Sequence, residues 1–247
     1  MNQDAQYEIQ EITIKIETPD GELPPAKVRI PNVPTRLSSL IPPMQQLCNG
    51  IVGLTIRREQ ALGSSITCRA GCGTCCRQIV PLSAPEAFFL WDYLNSLPSE
   101  RQDQIRSRFA MIREAMEASG LTSKLSDLES VKNQEIAWEY FQLGVPCPFL
   151  EEESCSIHLY RPFACREYNV ISPADLCADP FNNPIQKLRI PKNMTTATAM
   201  LAAKLFEVPP MLIPMSLFLD WVAENEPLKH RTWPGVWLFN LMLDYAT

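Results

Sequence analysis

Residues 68–91 read CRAGCGTCCRQIVPLSAPEAFFLW, a cysteine-rich loop that runs straight into a helix. Cys68, Cys72, Cys75 and Cys76 follow the pattern C-x3-C-x2-C-C, interleaved with Gly71 and Gly73. Short spacers let one turn of backbone aim several sulfurs at a point, and glycine allows the positive φ such turns need. Thiolates bind zinc or iron tightly, so the spacing points to a metal centre. Neighbouring side chains diverge in most backbone conformations, so Cys75 and Cys76 either serve different metal atoms or include one non-ligand. Ser83-Ala84-Pro85-Glu86 then forms a capping-box pattern, which opens a helix with Ala87, Leu90, Trp91 and Leu94 on its apolar face.

Working outward, Ser99 starts a second helical pattern, with Ile105, Phe109, Ile112 and Met116 on one face and Gly120 at its end. A third helix is expected over 129–143, stopped by Gly144-Val145-Pro146 just before Cys147. The second cysteine group, Cys147, Cys155, Cys165 and Cys177, lies in proline-punctuated loop with His158 between its second and third members. Its spacings are too wide for a self-contained zinc knuckle. The two groups make most sense as halves of one site, brought together by the intervening helices. Eight thiolates suit two tetrathiolate zinc sites or a polynuclear cluster, and a single [4Fe-4S] cluster would use four of them. Arg69 and Arg77 flank the first group and Arg161 and Arg166 the second. Guanidinium groups there would offset the negative charge of a thiolate centre and donate hydrogen bonds to sulfur, and Arg77, Arg161 and Arg166 are the candidates.

Upstream, residues 8–30 alternate as a hairpin, with Ile12, Ile14 and Ile16 on one face and Asp20-Gly21 in the turn before Val28 and Ile30. A proline-rich linker around Pro31 and Pro34 leads to a helix within 36–60. Downstream, helices are expected over 195–206 and 214–225 and from Trp233 to Tyr245. The fold class is therefore mainly α. It divides into an N-terminal β-hairpin extension (1–35), a cysteine-cluster metal-binding domain (36–190) and a C-terminal helical extension packed on it (191–247).

The chain has 247 residues and 46% hydrophobic content, enough for a core that needs no metal staple merely to fold. A net charge of -6 with no Lys/Arg block argues against nucleic acid as a partner. The polar N-terminus lacks the pattern of a secretory signal, and the apolar stretch 208–222 is interrupted by Pro209, Pro210 and Pro214, so no membrane span is expected. A cytoplasmic location follows as an expectation. Clustered thiols in such a reducing compartment are more often ligands than disulfides. No nucleophile elbow, phosphate-binding glycine loop or paired-carboxylate motif points to a hydrolase or kinase.

Plainer readings cover the remaining residues. Cys48 belongs to the core, Trp91 and Trp138 to helix packing, His230 to the surface and Glu151–Glu153 to a solvated loop tip. His158 ranks below the cysteines as a ligand. Cys72-Gly73-Thr74-Cys75 is also a C-x-x-C unit, without the preceding strand of a thioredoxin-like redox motif.

The run Cys68-x3-Cys72-x2-Cys75-Cys76-Arg77, then Cys147-Pro148-Phe149-Leu150, then Cys155-Ser156-Ile157-His158-x2-Arg161-Pro162-x2-Cys165-Arg166 resembles the YkgJ-type cysteine-cluster family, over about residues 65–180. That family is described as a zinc- or iron-chelating domain, and its box recurs in flagellin lysine N-methylases. The first spacer here has three residues where two is commoner, and His158 stands where tyrosine is frequent. The resemblance implies metal chelation in a small, mostly helical domain. It leaves open a methyl transfer to a protein substrate using S-adenosylmethionine, a metal sensor or carrier, and a structural zinc protein. The C-x3-C-x2-C spacing is also that of radical S-adenosylmethionine enzymes, but the strand–helix alternation of their barrel is absent from the sequence after Cys76. An iron–sulfur centre is favoured over zinc, because a vicinal pair and more than four thiols suit a polynuclear centre.

Overall fold

The computed structural model describes residues 8–15, 17–18, 21–22, 24–125 and 131–246. Among these the fold is mainly α, with a small antiparallel strand pair at the N-terminal side. Ile9–Ile14 (β1) pairs with Ala26–Pro31 (β2) in the register Ile12↔Val28, and Ile12, Ile14, Val28 and Ile30 pack onto the main core. Ile16 and Asp20 lie outside the described residues. Pro31 and Pro34 are strand residues and not linker, since Pro34–Arg36 pairs with Thr232–Pro234.

Ile41–Ala61 (α1) starts later than the apolar spacing suggests, behind a 3-10 turn at Leu37–Leu40. Pro42 and Pro43 fix that start, because proline is tolerated only in a helix's first turn. Ala84–Ser96 (α2) and Ser99–Ala118 (α3) agree with the sequence, including the capping box at Ser83 and Glu86. The third helix is Gln134–Gln142 (α4), shorter than 129–143, because the Asn133 side chain accepts from the Glu135 and Ile136 amides and sets the boundary. Residues 129 and 130 lie outside the described set.

Phe163–Glu167 (α5) is a short helix carrying Cys165, and Met194–Phe206 (α6) is a buried, alanine-rich helix. The Asn193 side chain caps α6 by accepting from the Thr196 amide (2.7 Å), and its Nδ2 donates to Glu167 (3.0 Å). Asn193→Ala is expected to cost about 1 kcal/mol, read as a lower denaturant midpoint at unchanged slope. Phe218–Glu224 (α7) follows a strand pair, Leu82↔Ile213 and Pro81↔Pro214, and a 3-10 turn, so the helix expected over 214–225 is trimmed at its start. Trp233 is strand and not helix. It pairs with Thr35, and Gly235–Ala246 (α8) begins only after Pro234.

A single hydrophobic cluster runs through Ile41 and Met44 of α1, Phe88 and Leu90 of α2, Leu201 of α6, Phe218 of α7 and Phe239 of α8. A smaller one joins α3 and α4 through Ile112, Met116 and Tyr140. Trp138, expected in a packed face, is 46% exposed. No helix among the described residues is long and apolar enough to cross a membrane.

Candidate metal centre

The two cysteine segments are tied together by backbone. The Cys147 amide donates to the Cys76 carbonyl (2.7 Å), and the Thr67 amide donates to the Val170 carbonyl (3.1 Å). The Val170 amide in turn approaches the Cys68 sulfur at 3.4 Å, and the Thr67 hydroxyl donates to Ser172 O (2.6 Å). Locally, Cys75 and Cys76 sit in a 3-10 turn, Thr74–Arg77, entered through Gly71 at φ +79°. Cys155 sits on a two-residue hairpin, Leu150↔Cys155 and Glu151↔Ser154, whose turn residues Glu152 and Glu153 both have positive φ. Phe149, fully buried and edge-on to Phe109 at 5.7 Å, anchors this hairpin to α3.

Gly73 is where the segments interlock. A Cβ built on it would meet Leu150 Cδ1 at 2.6 Å, Glu153 Oε2 at 2.7 Å and Glu153 Cα at 3.1 Å. Its φ of -89° is open to any residue, so space and not backbone conformation demands glycine here.

Cys165 is placed by a buried carboxylate. Glu86, in the first turn of α2, accepts from the Ser83 amide (2.9 Å) and hydroxyl (2.7 Å) through Oε2, and from the Phe163 amide (2.8 Å) through Oε1. One side chain therefore caps α2 and holds the start of α5 against it. Burial raises the Glu86 carboxyl to about 7, against the pull of these hydrogen bonds and of the Arg166 charge.

Seven of the eight clustered cysteines, Cys68, Cys72, Cys75, Cys76, Cys147, Cys155 and Cys165, line one cavity of about 540 Å³. Cys177, buried in the turn Ala174–Ala178, is off the lining but stands in the field of Cys68, Cys72 and Cys75. All nine cysteines are free, and Cys48 is core as expected. Burial pushes the Cys147 thiol up to about 12 and Cys165 well above the ordinary thiol range. Cys75 is raised by its hydrogen bond with Cys76 and then by burial. Neighbouring sulfurs also raise one another's pKa, which is how a set of thiols facing one space behaves. As the side chains lie, no three Cys, His, Asp or Glu groups among the described residues close on a single ion position.

The arginines divide. Arg161 lines the cavity, and its Nε is buried without a hydrogen-bond partner. Arg166 is buried but turned away, donating to Arg161 O (2.9 Å), Asn49 (2.9 Å) and Leu159 O, which pins the 159–161 turn to α1. Arg77 forms a bidentate pair with Glu153 (3.0 and 2.7 Å) across the two segments. Glu151 is held by Arg101 and Arg108 of α3, so the acidic run is an anchored hairpin tip and not a freely solvated one. His158 is exposed and borders the cavity, and the Arg161 guanidinium holds its imidazole below the ordinary value. His230 is at the surface but has an acidic neighbour one turn back, Glu226, which its sequence context concealed.

Sequence reasoning missed other residues of the cavity lining: Ile79, Val80 and Pro81 beyond the first group, Tyr168 and Asn169 after Cys165, and Met215 from the approach to α7. Proximity to a cysteine could have flagged the first five, whereas Met215 arrives through the nonlocal bond from its amide to Val80 O (2.8 Å).

The donor set fits zinc or iron, as soft sulfur ligands from two tethered loops facing one cavity beside a guanidinium whose buried Nε–H has no acceptor. Residues 67–187 match a family model described as "Putative zinc- or iron-chelating domain", named for its CxxCxxCC motif. No curated protein and no solved structure matches the chain.

Proposed function

Since residues 67–187 form a domain of the CxxCxxCC zinc- or iron-chelating family, we propose that the chain holds an iron–sulfur centre, in preference to zinc, in the cavity where its two cysteine groups meet. One observation carries the reading: seven thiols from segments about seventy residues apart line a single space and are joined there by the Cys147–Cys76 backbone bond. The number of sulfurs exceeds the four of a tetrahedral zinc site, and the vicinal pair Cys75 and Cys76 suits a centre of several metal atoms. Cys68, Cys72, Cys75, Cys76, Cys147, Cys155 and Cys165 are the ligand candidates, with Cys177 an eighth held in reserve behind the first group. Arg161 is placed to donate to sulfur. Arg166 and Arg77 act on the same centre indirectly, one by fixing the 159–161 turn and the other by clamping the hairpin.

A bound centre of this kind supplies redox or Lewis-acid chemistry, or a site for metal exchange. The chain's own part is to desolvate Cys147 and Cys165 most strongly and to set the spacing of the thiols. In the metal-free state the buried thiols are protonated, so loading releases protons. Anaerobic purification followed by elemental analysis and an absorption spectrum tests the reading. A brown protein with iron and acid-labile sulfide is expected. Colourless protein with stoichiometric zinc would move the assignment to zinc, and protein with neither metal, even after reconstitution, would remove the centre altogether.

A further inference from the structure

We infer that the cavity also binds a small organic carboxylate with an apolar body, seated beside the metal and held by Arg161. The inference rests on the metal reading for its setting, while its own support is the size, composition and charge of the cavity.

Size comes first. One ion with thiolates at about 2.3 Å fills a coordination sphere of roughly 50 Å³, and a centre of four metal atoms counted in the same way fills at most roughly 200 Å³. The cavity holds about 540 Å³, and pockets for small organic ligands run from about 300 to 1,000 Å³. A closed structural site would leave no such space. Composition comes next. Besides the thiols the lining carries the apolar side chains of Ile79, Val80, Pro81, Phe149 and Met215, and hydrocarbon of this kind gains nothing from facing an ion.

Charge then sets the polar end. Glu153 is the one acidic side chain on the lining among the described residues, and Arg77 neutralises it. Arg161 faces the same space with a buried Nε–H that lacks an acceptor. A desolvated guanidinium donor left unpaired is costly, and the acceptor that fits it best is a carboxylate taking Nε–H and a terminal N–H together. Of the other polar side chains on the lining, Gln78 donates to the Tyr168 hydroxyl (3.3 Å) and Asn169 to Arg166 O (2.8 Å), while Arg69 and His158 lie on the more exposed part of the lining. Metal-bound sulfur competes for the same guanidinium, but its five N–H groups can serve both acceptors.

The test is a calorimetric titration of the full-length, metal-loaded protein with hexanoate and with its neutral analogue hexanamide, metal content being measured on each sample. Hexanoate is expected to bind and hexanamide to bind about tenfold or more weakly, since a charge-assisted bidentate bond is lost. Arg161→Gln is expected to weaken hexanoate by about tenfold per metal-loaded molecule, the titration being normalised to the metal content of the variant. Ile79→Trp, which fills the apolar side, is expected to abolish binding at unchanged metal content. Metal-loaded protein that gives no heat with hexanoate, or that takes the amide equally well, overturns the inference and leaves the metal centre standing. Loss of metal in Arg161→Gln with no selective loss of hexanoate also overturns it, assigning Arg161 to sulfur alone. Protein that takes up no metal even after reconstitution yet binds hexanoate through Arg161 would sink the metal reading and retain the carboxylate site.

Discussion

Gly73→Val is expected to lower metal affinity about a hundredfold or more, and Gly73→Ala about tenfold, with the helices intact in both; these losses match those seen when groups that orient metal ligands are removed. The gradation comes from which atoms stand in the way. The first methyl meets Leu150 Cδ1 and Glu153 Oε2, the mobile ends of two side chains, and then Glu153 Cα at 3.1 Å, which is backbone. Alanine therefore needs the side chains to swing aside and the hairpin to give by a few tenths of an ångström. Valine's second shell of atoms must push the hairpin itself, and Cys155 with it, away from the turn that carries Cys75 and Cys76. A competition titration against a chelator, with circular dichroism to confirm helix content, reads the effect. Full metal affinity in the valine variant would mean that this contact does not set the spacing of the two cysteine groups.

Glu86→Ala is expected to destabilise the protein by about 3–5 kcal/mol at pH 5 to 6, because it leaves two amides and a hydroxyl without their acceptor in a dry site. Glu86 is 1% exposed, so water cannot replace the carboxyl group as acceptor. The pH dependence has a definite direction. Its carboxyl is raised from 4.5 to about 7 in the folded chain, so between those values the native state holds a proton that the unfolded chain has released. The stabilisation is complete below pH 4.5 and is lost as pH rises through 7, a change of about 3 kcal/mol for a shift of this size. The stability gap between wild type and Glu86→Ala should therefore narrow from pH 5 to pH 8. Denaturant unfolding at several pH values measures this, and a gap that widens with pH would contradict the assignment. Metal content of the variant gives a second readout, since Phe163, two residues before Cys165, loses its anchor.

What the sequence made legible was local. The capping box at Ser83 and Glu86, the faces of α2 and α3, and the cap-free loops bearing the cysteines all depend on residues within a few positions of one another. Convergence of the two cysteine groups could be argued from their spacing. What escaped was nonlocal. The second oxygen of Glu86 reaches a backbone amide 77 residues away, and no pattern in either segment announces that bond. Arg77, Arg161 and Arg166 look equivalent beside their cysteines. They are separated by neighbours brought from elsewhere: Glu153 takes Arg77, Asn49 and the Leu159 carbonyl take Arg166, and Arg161 is left facing the cavity. Trp233 fits a helical spacing, yet pairing with Thr35 across the chain overrides local propensity and Pro234 delays the helix.

The main hydrophobic cluster extends from Ile30 to Ala246 and draws on seven of the eight principal helices, with Cys147 and Cys155 only at its margin. A miniature finger collapses when its ion is withdrawn, because binding and folding are there the same event. Here the scaffold stands on apolar burial, so the thiol-lined space is a durable receptacle. On the proposed metal reading, loss and return of the ions would demand deprotonation and side-chain rearrangement, without the chain having to fold anew.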